Sequence, residues 1–267
     1  MEAHGSALVT GASRGIGRAV ALELAARGFS VVATMRDTSA GAALVDGAQG
    51  QITVRRLDVT DPGTIDLPDD LRVLVNNAGF QDAYLPVETV PLDRLRALLE
   101  TNVVGQVAVM QQVIPLMRSR GEGVLCTITS SSVLLASPFF AAYRASKAAM
   151  SAVCESLLVE LAPFGIRVVE ILPGPVDTEG LAHSSYVPAV EVPAYRDQAE
   201  RMMASRDQVR AVMVSPAQAA VRIVDTILDD GAPMRSSCDP MGDALLERWR
   251  HTPDQELLDG ALDRYAL

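Results

Sequence analysis

The chain has only three cysteines, Cys126, Cys154 and Cys238, widely spaced and with no C-x-x-C pair among them. That excludes a disulfide framework and reads as small buried apolar groups in a reduced compartment. An excess of positive charge is also missing: 23 lysines and arginines stand against 33 aspartates and glutamates, for a net charge of −10. With its basic residues scattered, such a chain repels phosphate backbones, so no nucleic-acid partner is expected. The opening MEAHGSALVTG has neither a basic n-region nor an apolar h-region, so no signal peptide is expected and a cytoplasmic location is. The histidines His4, His183 and His251 form no ligand cluster and the carboxylates show no metal spacing, so no metal is expected. One uncharged run, Gly123 to Tyr143, is long enough to raise a membrane span, but it holds three consecutive serines, two threonines and Pro138. It reads better as a buried strand followed by a loop, and no membrane partner is expected.

What is present is a large apolar fraction, 49% hydrophobic against 21% charged, in 267 residues. That balance suits one globular α/β domain with a sizeable core. Strand-like runs fall near Ala7–Thr10, Ser30–Met35, Gln51–Leu57, Arg72–Asn76, Gly123–Thr129 and Arg167–Leu172. Several are continuously apolar rather than alternating, as a parallel sheet covered on both faces requires. Helical patterns lie between and after them, near Gly15–Arg27, Leu92–Arg118, Tyr143–Phe164 and Pro216–Asp229. No repeat, linker or low-complexity segment divides the chain, so residues 1–267 read as a single doubly wound, Rossmann-type α/β domain. The stretch from Asp61 to Asp70 has two prolines and a glycine in ten residues, so that crossover reads as little more than a turn.

The helix from Tyr143 is apolar around nearly its whole circumference, and Val103–Met117 has the same character. A helix of that kind must be buried on more than one side. The two together predict an apolar ridge that pairs in a homodimer or homotetramer.

Two motifs carry chemistry. The first is T-G-A-S-R-G-I-G at residues 10–17, a glycine cluster between a strand-like run and an amphipathic helix. Glycines let backbone amides approach a pyrophosphate, and the helix N-terminus offers unpaired N–H donors. Gly11, Ser13, Arg14, Gly15, Ile16 and Gly17 are therefore candidate dinucleotide ligands. In this architecture an acid ending the second strand binds the ribose hydroxyls, whereas an arginine suits a 2′-phosphate. The strand ends VVATMRD, with Met35 terminal and Arg36 next, and Arg14 lies in the glycine loop. Two guanidiniums near one dianion favour NADP(H). A shift of one residue would instead make Asp37 the ribose acceptor and leave NAD(H) open. The second motif is Tyr143-x-x-x-Lys147, which is by itself usually a surface pair. Residues four apart share a helix face, and an ammonium within about 4–6 Å lowers a phenol's pKa by about 1–3 units, toward the range useful for proton transfer. Ser130, Ser131 and Ser132 lie just upstream, and spacing alone leaves open which of them acts with the tyrosine.

From about residue 6 to residue 178 the chain resembles the short-chain dehydrogenase/reductase family. The resemblance rests on Thr10–Gly17, Leu57-Asp58-Val59, Asn76-Asn77-Ala78-Gly79, Asn102, Ser130, Tyr143-x-x-x-Lys147 and Pro173-Gly174-Pro175-Val176-x-Thr178 in that order. The stretches VVATMRD and SPFFAAYRASK look most like its hydroxysteroid and retinol dehydrogenase branch, and the opening forty residues look equally like 3-oxoacyl reductases. The resemblance implies a seven-stranded sheet and an NADP(H)-dependent oxidoreductase acting on a ketone or secondary alcohol. It implies that Asp58 and Val59 hold the adenine, that Asn77 lies by the adenosine ribose, that Ala78 and Gly79 are further cofactor ligands, and that Pro173, Gly174, Val176 and Thr178 flank the nicotinamide. It picks Ser130 as the carbonyl-polarising donor, Tyr143 as acid/base and Lys147 as its tuner and ribose ligand. Asn102 would hold a water that links Lys147 to solvent.

Residues 178–215 include Leu181, Tyr186, Val187, Pro188, Tyr195, Met202, Met203 and Met213, and they read as a lid or pocket wall. His183 lies in the same segment. Leu134, Leu135, Phe139 and Phe140 would line the opposite side. Such a cavity suits an apolar, lipid-like or polycyclic small molecule, although the methionines serve equally as packing for the lid. The rivals are a 3-oxoacyl thioester reductase, whose acidic carrier wants a basic surface, and a catalytically silent nucleotide-binding regulator. Residues 236–267 form a C-terminal extension with no motif.

Overall fold

A computed structural model describes residues 1–178 and 187–266. Its seven strands are β1 (Ser6–Val9), β2 (Ser30–Met35), β3 (Ile52–Arg56), β4 (Leu71–Asn76), β5 (Gly123–Ile128), β6 (Ile166–Ile171) and β7 (Arg235–Ser236). They form one parallel sheet in the order β3-β2-β1-β4-β5-β6-β7. The direction of strand addition reverses between β1 and β4, and in open α/β sheets the crevice beyond the carboxyl ends at that point is where ligands bind.

The central strands are buried along their whole length, as their unbroken apolar runs predict. Alternate side chains serve opposite faces: Val73 and Val75 join one core cluster, and Leu74 between them joins the other. The first cluster is covered by α1 (Gly15–Ala26) and by a later helix, Pro216–Leu228, whose buried Ala219, Ala220, Ile223, Val224 and Ile227 form one helical stripe. Ser215 and Gln218 close a reciprocal capping box at the start of that later helix. The second cluster is covered by α4 (Gln106–Arg120) and α5 (Ala141–Leu161).

The connections depart from regular βαβ units in informative ways. Between β2 and β3 runs only a short turn and α2 (Ala42–Asp46). Between β3 and β4 the sole helical piece is a turn at Pro62–Thr64, as the proline and glycine content predicts, and Ile65 and Leu67 supply the cover by packing on the second cluster. The helix expected over 92–118 is split. α3 (Leu92–Leu99) passes through a wider π-helical segment, Glu100–Gly105, before α4 begins. Such insertions concentrate at functional sites, and this one contains Asn102. Gly105 is needed there because a Cβ would lie 2.7 Å from the Val59 carbonyl oxygen.

After β6 come turns at Pro188–Glu191 and Pro193–Tyr195, then α6 (Arg196–Arg210), the α7 helix already described (Pro216–Leu228), α8 (Pro240–His251) and α9 (Asp254–Tyr265). Among the described residues no helix is long and apolar enough to cross a membrane.

Candidate active site

The glycine motif forms the turn between β1 and α1, and its backbone requires its glycines. Gly11 (φ +66°) and Gly15 (φ +56°) occupy the left-handed region. A Cβ on Gly17 would fall 2.4 Å from both the Gly11 carbonyl oxygen and the Asn77 carboxamide nitrogen. That carboxamide donates to the Thr10 and Gly11 carbonyl oxygens at 2.9 and 3.2 Å, while the Thr10 hydroxyl accepts from the backbone N–H groups of Asn77 and Ala78. The Asn76–Gly79 loop is thereby locked onto the glycine loop. Thr178 closes from the other side, its methyl group 3.3 Å from the position a Cβ on Gly15 would take. Gly11, Gly15, Gly17, Asn77, Ala78 and Thr178 thus come together at the carboxyl edge, with Ser13, Arg14 and Ile16 in the same turn, and bare backbone of this kind lets a pyrophosphate approach.

The end of β2 answers the question of register. The strand stops at Met35, Arg36 follows exposed, and Asp37 accepts from Ser39 N–H at 2.9 Å as the cap of the next turn. That bond holds the Asp37 carboxyl below the usual carboxylate range. On the neighbouring strand's exit, Asp58 accepts from the Thr60 hydroxyl and N–H at 2.8 and 3.0 Å. The Thr60 hydroxyl lowers the Asp58 pKa most, with smaller contributions from the charges of Arg36 and Arg56. Arg36 and Asp58 therefore belong to one corner of the crevice, with Val59 buried beside them.

At the carboxyl ends of β4 and β5 the second motif assembles. Tyr143 and Lys147 lie on one face of α5, with the Lys147 amine 5.8 Å from the centre of the tyrosine ring. That amine is 5% exposed and donates to the Ile128 carbonyl oxygen at 2.9 Å. Ser130 lies close enough to the Tyr143 phenol to lower its pKa, and the Ser130 oxygen accepts from Ser132 N–H at 3.2 Å. Its neighbours are oriented elsewhere: Ser131 N–H donates to the Pro173 carbonyl oxygen, and the buried Ser132 hydroxyl has no partner among the described residues. Asn102 is buried and clamped, its carboxamide exchanging two 2.9 Å hydrogen bonds with the Phe80 backbone and donating to the Ser146 hydroxyl at 3.0 Å. A Cβ on Gly79 would sit 2.9 Å from the Asn102 oxygen and 3.6 Å from the Lys147 amine, so a bare backbone is required where these groups meet.

The electrostatics differ from what the four-residue spacing suggests. Burial pushes the Tyr143 phenol up to about 12, against the opposing pull of Ser130. Burial also draws the Lys147 ammonium down to about 8, with Cys154 and Glu170 pushing back. Desolvation disfavours each charged form, and it is the largest influence on both groups.

Around the phenol lies an aromatic stack that the spacing did not reveal. Tyr143 stacks on Phe140 at 4.7 Å, Phe140 on Tyr84 at 4.6 Å, and the Arg206 guanidinium of α6 lies 4.3 Å from the Tyr84 ring centre. Phe139 adopts φ +60°, costly for a side chain of its size, and packs edge-on against Tyr195 at 5.8 Å. Met202 is buried in this cluster with Val187 and Ala189, so it packs the helix down rather than facing an open cavity. Leu134 is likewise buried against Leu172 and Leu246. Leu181, His183 and Tyr186 lie outside the described residues.

Two further signals went unread. Lys147 is the sole lysine of the chain, a fact visible in the sequence. Asp239, buried at the start of α8, accepts from Gly174 N–H at 2.6 Å and from Gly242 N–H at 2.8 Å. It ties the Pro173–Thr178 segment to the C-terminal helices.

Comparison with known proteins agrees with this geometry. Residues 6–186 match the family model described as short chain dehydrogenase. Human 17-beta-hydroxysteroid dehydrogenase type 1 is 36% identical over 186 residues, which cover 64% of this chain and 56% of that protein. The chain thus spans about half the length of the curated hydroxysteroid relatives it matches. Among solved structures, a short-chain dehydrogenase from Streptomyces avermitilis superposes with a TM-score of 0.82 at 32% identity, covering 96% of each chain. A short chain dehydrogenase from Burkholderia cenocepacia J2315, solved in complex with NADP, shares the fold at a TM-score of 0.74 and 24% identity, covering 98% of this chain and 99% of its own. With the family model matched over more than half its length, the chain belongs to the short-chain dehydrogenases.

Proposed function

We propose that the protein is an NADP(H)-dependent oxidoreductase that interconverts an apolar ketone and its secondary alcohol. The observation that carries this reading is the Tyr143 phenol beside the buried Lys147 amine, which the Ile128 carbonyl holds at the carboxyl edge of the sheet next to Ser130. The dinucleotide would be held by Gly11, Ser13, Arg14, Gly15, Ile16 and Gly17 at its pyrophosphate. Asp58 and Val59 would meet its adenine, Asn77 would meet the adenosine ribose, and Ala78 and Gly79 would line the cofactor's path toward Lys147. Pro173, Gly174, Val176 and Thr178 would flank its nicotinamide. Arg36 leaves the end of β2 next to Asp58 while Asp37 is committed to a cap, which favours a 2′-phosphate over a bare ribose. When bound, the cofactor supplies or accepts the hydride.

The chain's own groups handle the proton. A phenol at about 12 is protonated near neutrality, the state needed to give a proton to an oxygen that is becoming an alkoxide. The Ser130 hydroxyl donates to the same oxygen and stabilises its developing charge. Lys147, as an ammonium, favours the phenolate left behind and would bind the nicotinamide ribose. Asn102 fixes the Gly79–Phe80 backbone against this pair, and a water between Asn102 and Lys147 would return a proton from solvent. The stack from Tyr143 through Phe140 to Tyr84 offers an apolar flank, and the likeness to a hydroxysteroid dehydrogenase favours a polycyclic or lipid-like ketone.

The test is a 340 nm turnover screen of steroids, retinoids, acyl thioesters and small ketones with both cofactors. Tyr143→Phe is expected to keep less than about one-tenth of wild-type activity while still binding NADPH. Retention above that level refutes the acid/base role, a tenfold kinetic preference for NADH reverses the cofactor, and no turnover with any ketone points to a silent regulator. We further propose a homodimer or homotetramer. Ala145, Ala148, Ala152 and Val159 form an exposed apolar stripe along α5, with Val159 at 74% exposure and Val104 at 53% nearby. A monomeric mass in sedimentation at micromolar protein removes that part.

A further inference from the structure

Next to Lys147 lies a second buried charge that the reaction does not use. Glu170 stands on β6 opposite Thr127 of β5 and is 0% exposed. A lone carboxylate out of water costs several kcal/mol, so its partners matter. One oxygen accepts from the Thr129 hydroxyl at 2.8 Å, and the other accepts from the Ser151 hydroxyl at 3.1 Å and the Arg235 Nε at 2.9 Å. Arg235 also donates to the Ser151 hydroxyl at 2.7 Å, reaches Glu155 at the surface, and lies 5.3 Å from the Trp249 ring centre.

These contacts converge on the acid/base pair. Ser151 is one turn beyond Lys147 on the same face of α5. Thr129 sits between Ile128, whose carbonyl holds the Lys147 amine, and Ser130. The carboxylate is therefore one hydrogen bond from each of the two elements that present Tyr143, Lys147 and Ser130. The charged and titratable groups around Lys147 are Tyr143, Cys154 and Glu155 on its own helix, Glu170 on β6 and Arg235 on β7. Among the described residues, the facing side contributes the uncharged Asn102 and Gly79. The Cys154 thiol, pushed up to about 12 by burial, stays neutral, so Glu170 is the buried anion that favours the ammonium.

We propose that Glu170 is a positioning residue for the Tyr143–Lys147 pair, its buried carboxylate keeping Lys147 in the ammonium form and fixing the end of β5, with Arg235 setting how much of that charge Lys147 feels. This rests on the role given to Lys147 above, and the test separates the two. Because Lys147 is the only lysine, protein grown with lysine labelled at the ε-carbon gives one side-chain NMR signal whose pH titration reports this amine alone. Glu170→Gln removes the anion and leaves the guanidinium, so the midpoint is expected to fall by about one pH unit. Arg235→Gln leaves the anion without its counter-cation, and the midpoint is expected to rise by a similar amount. Glu170→Asp, which keeps the charge, should restore most of the wild-type value. The alkaline limb of kcat/KM should move with each midpoint. A midpoint that stays put, or moves the wrong way, in either Glu170→Gln or Arg235→Gln overturns the proposal, so one folded variant suffices. Midpoints that move as stated above an unmoved pH–rate profile uphold Glu170's hold on the amine and refute instead the role of Lys147 in turnover.

Discussion

Replacing Lys147 by methionine should make the protein more stable and inactive, with the gain depending on pH in a defined direction. The amine is almost wholly buried, and burial draws its pKa from 10.5 to about 8. That displacement corresponds to about 3 kcal/mol lost by folding a protonated lysine. Below the folded value both states carry the proton and the cost is complete; above the unfolded value neither does and the cost is gone. Methionine has similar length and no charge, but it gives up the hydrogen bond to the Ile128 carbonyl, worth about 1 kcal/mol. The net gain at pH 7 is about 2 kcal/mol, or roughly 5 °C in melting temperature for a chain of this size. Differential scanning calorimetry of Lys147→Met and wild type, without added dinucleotide, should show that difference at pH 7 and near coincidence at pH 10. A variant less stable at pH 7, or a gain that persists at pH 10, would mean that the amine is not paying a desolvation cost where the structure places it.

Three other perturbations test neighbouring parts of the site. Gly17→Ala drives a methyl group against the Gly11 carbonyl and the Asn77 carboxamide, and should cost about 1–3 kcal/mol in chemical denaturation together with NADPH affinity; unchanged NADPH binding by fluorescence titration would argue against the glycine loop as the cradle. Arg36→Leu should raise the KM for NADPH about tenfold or more and leave that for NADH nearly unchanged, since one charge-assisted hydrogen bond is worth about 1.5–3 kcal/mol; equal effects on both cofactors would refute a 2′-phosphate contact. Asp239→Asn puts an N–H donor where Gly174 needs an acceptor and should destabilise by about 2 kcal/mol or more, raising the cofactor's KM more than the substrate's; a KM change confined to the substrate would detach Asp239 from the nicotinamide-flanking segment.

The sheet was legible because burial on both faces leaves a plain mark on composition. The runs containing Leu71–Asn76 and Gly123–Ile128 are apolar without alternation, and the central strands lie within a residue or two of their expected bounds. The turn at Pro62–Thr64 was legible for the opposite reason, since proline and glycine leave no helix to form. The π-helical segment at Glu100–Gly105 was not, because its cause is tertiary: Asn102 is drawn inward by the Phe80 backbone, 22 residues away in sequence. The two-residue β7 carries too little pattern to be seen, and Arg235 finds Glu170 across 65 residues. The motif residues do converge at one edge of the sheet, but the direction of the Tyr143 pKa was misjudged. A four-residue spacing reports the cation and says nothing of the rings of Phe140 and Tyr84 that exclude water.

In the proposed mechanism, burial of the pair bears on the preferred direction of reaction. In water a phenol and an ammonium release protons at nearly the same pH. Burial here separates them, to about 12 and about 8, and makes Tyr143 the weaker acid. Proton transfer from phenol to amine within the pair is then unfavourable, so Lys147 would not drain the proton that the proposed mechanism has Tyr143 give to an alkoxide. Under the proposed mechanism the chain's own groups would favour the protonated phenol, the form that reduction uses. Oxidation needs the phenolate, which must be stabilised by positive charge beyond that of Lys147. Ketone reduction should consequently hold level through neutrality and fall as pH rises past about 8, where the ammonium is lost. Alcohol oxidation should gain with pH until that same loss sets in.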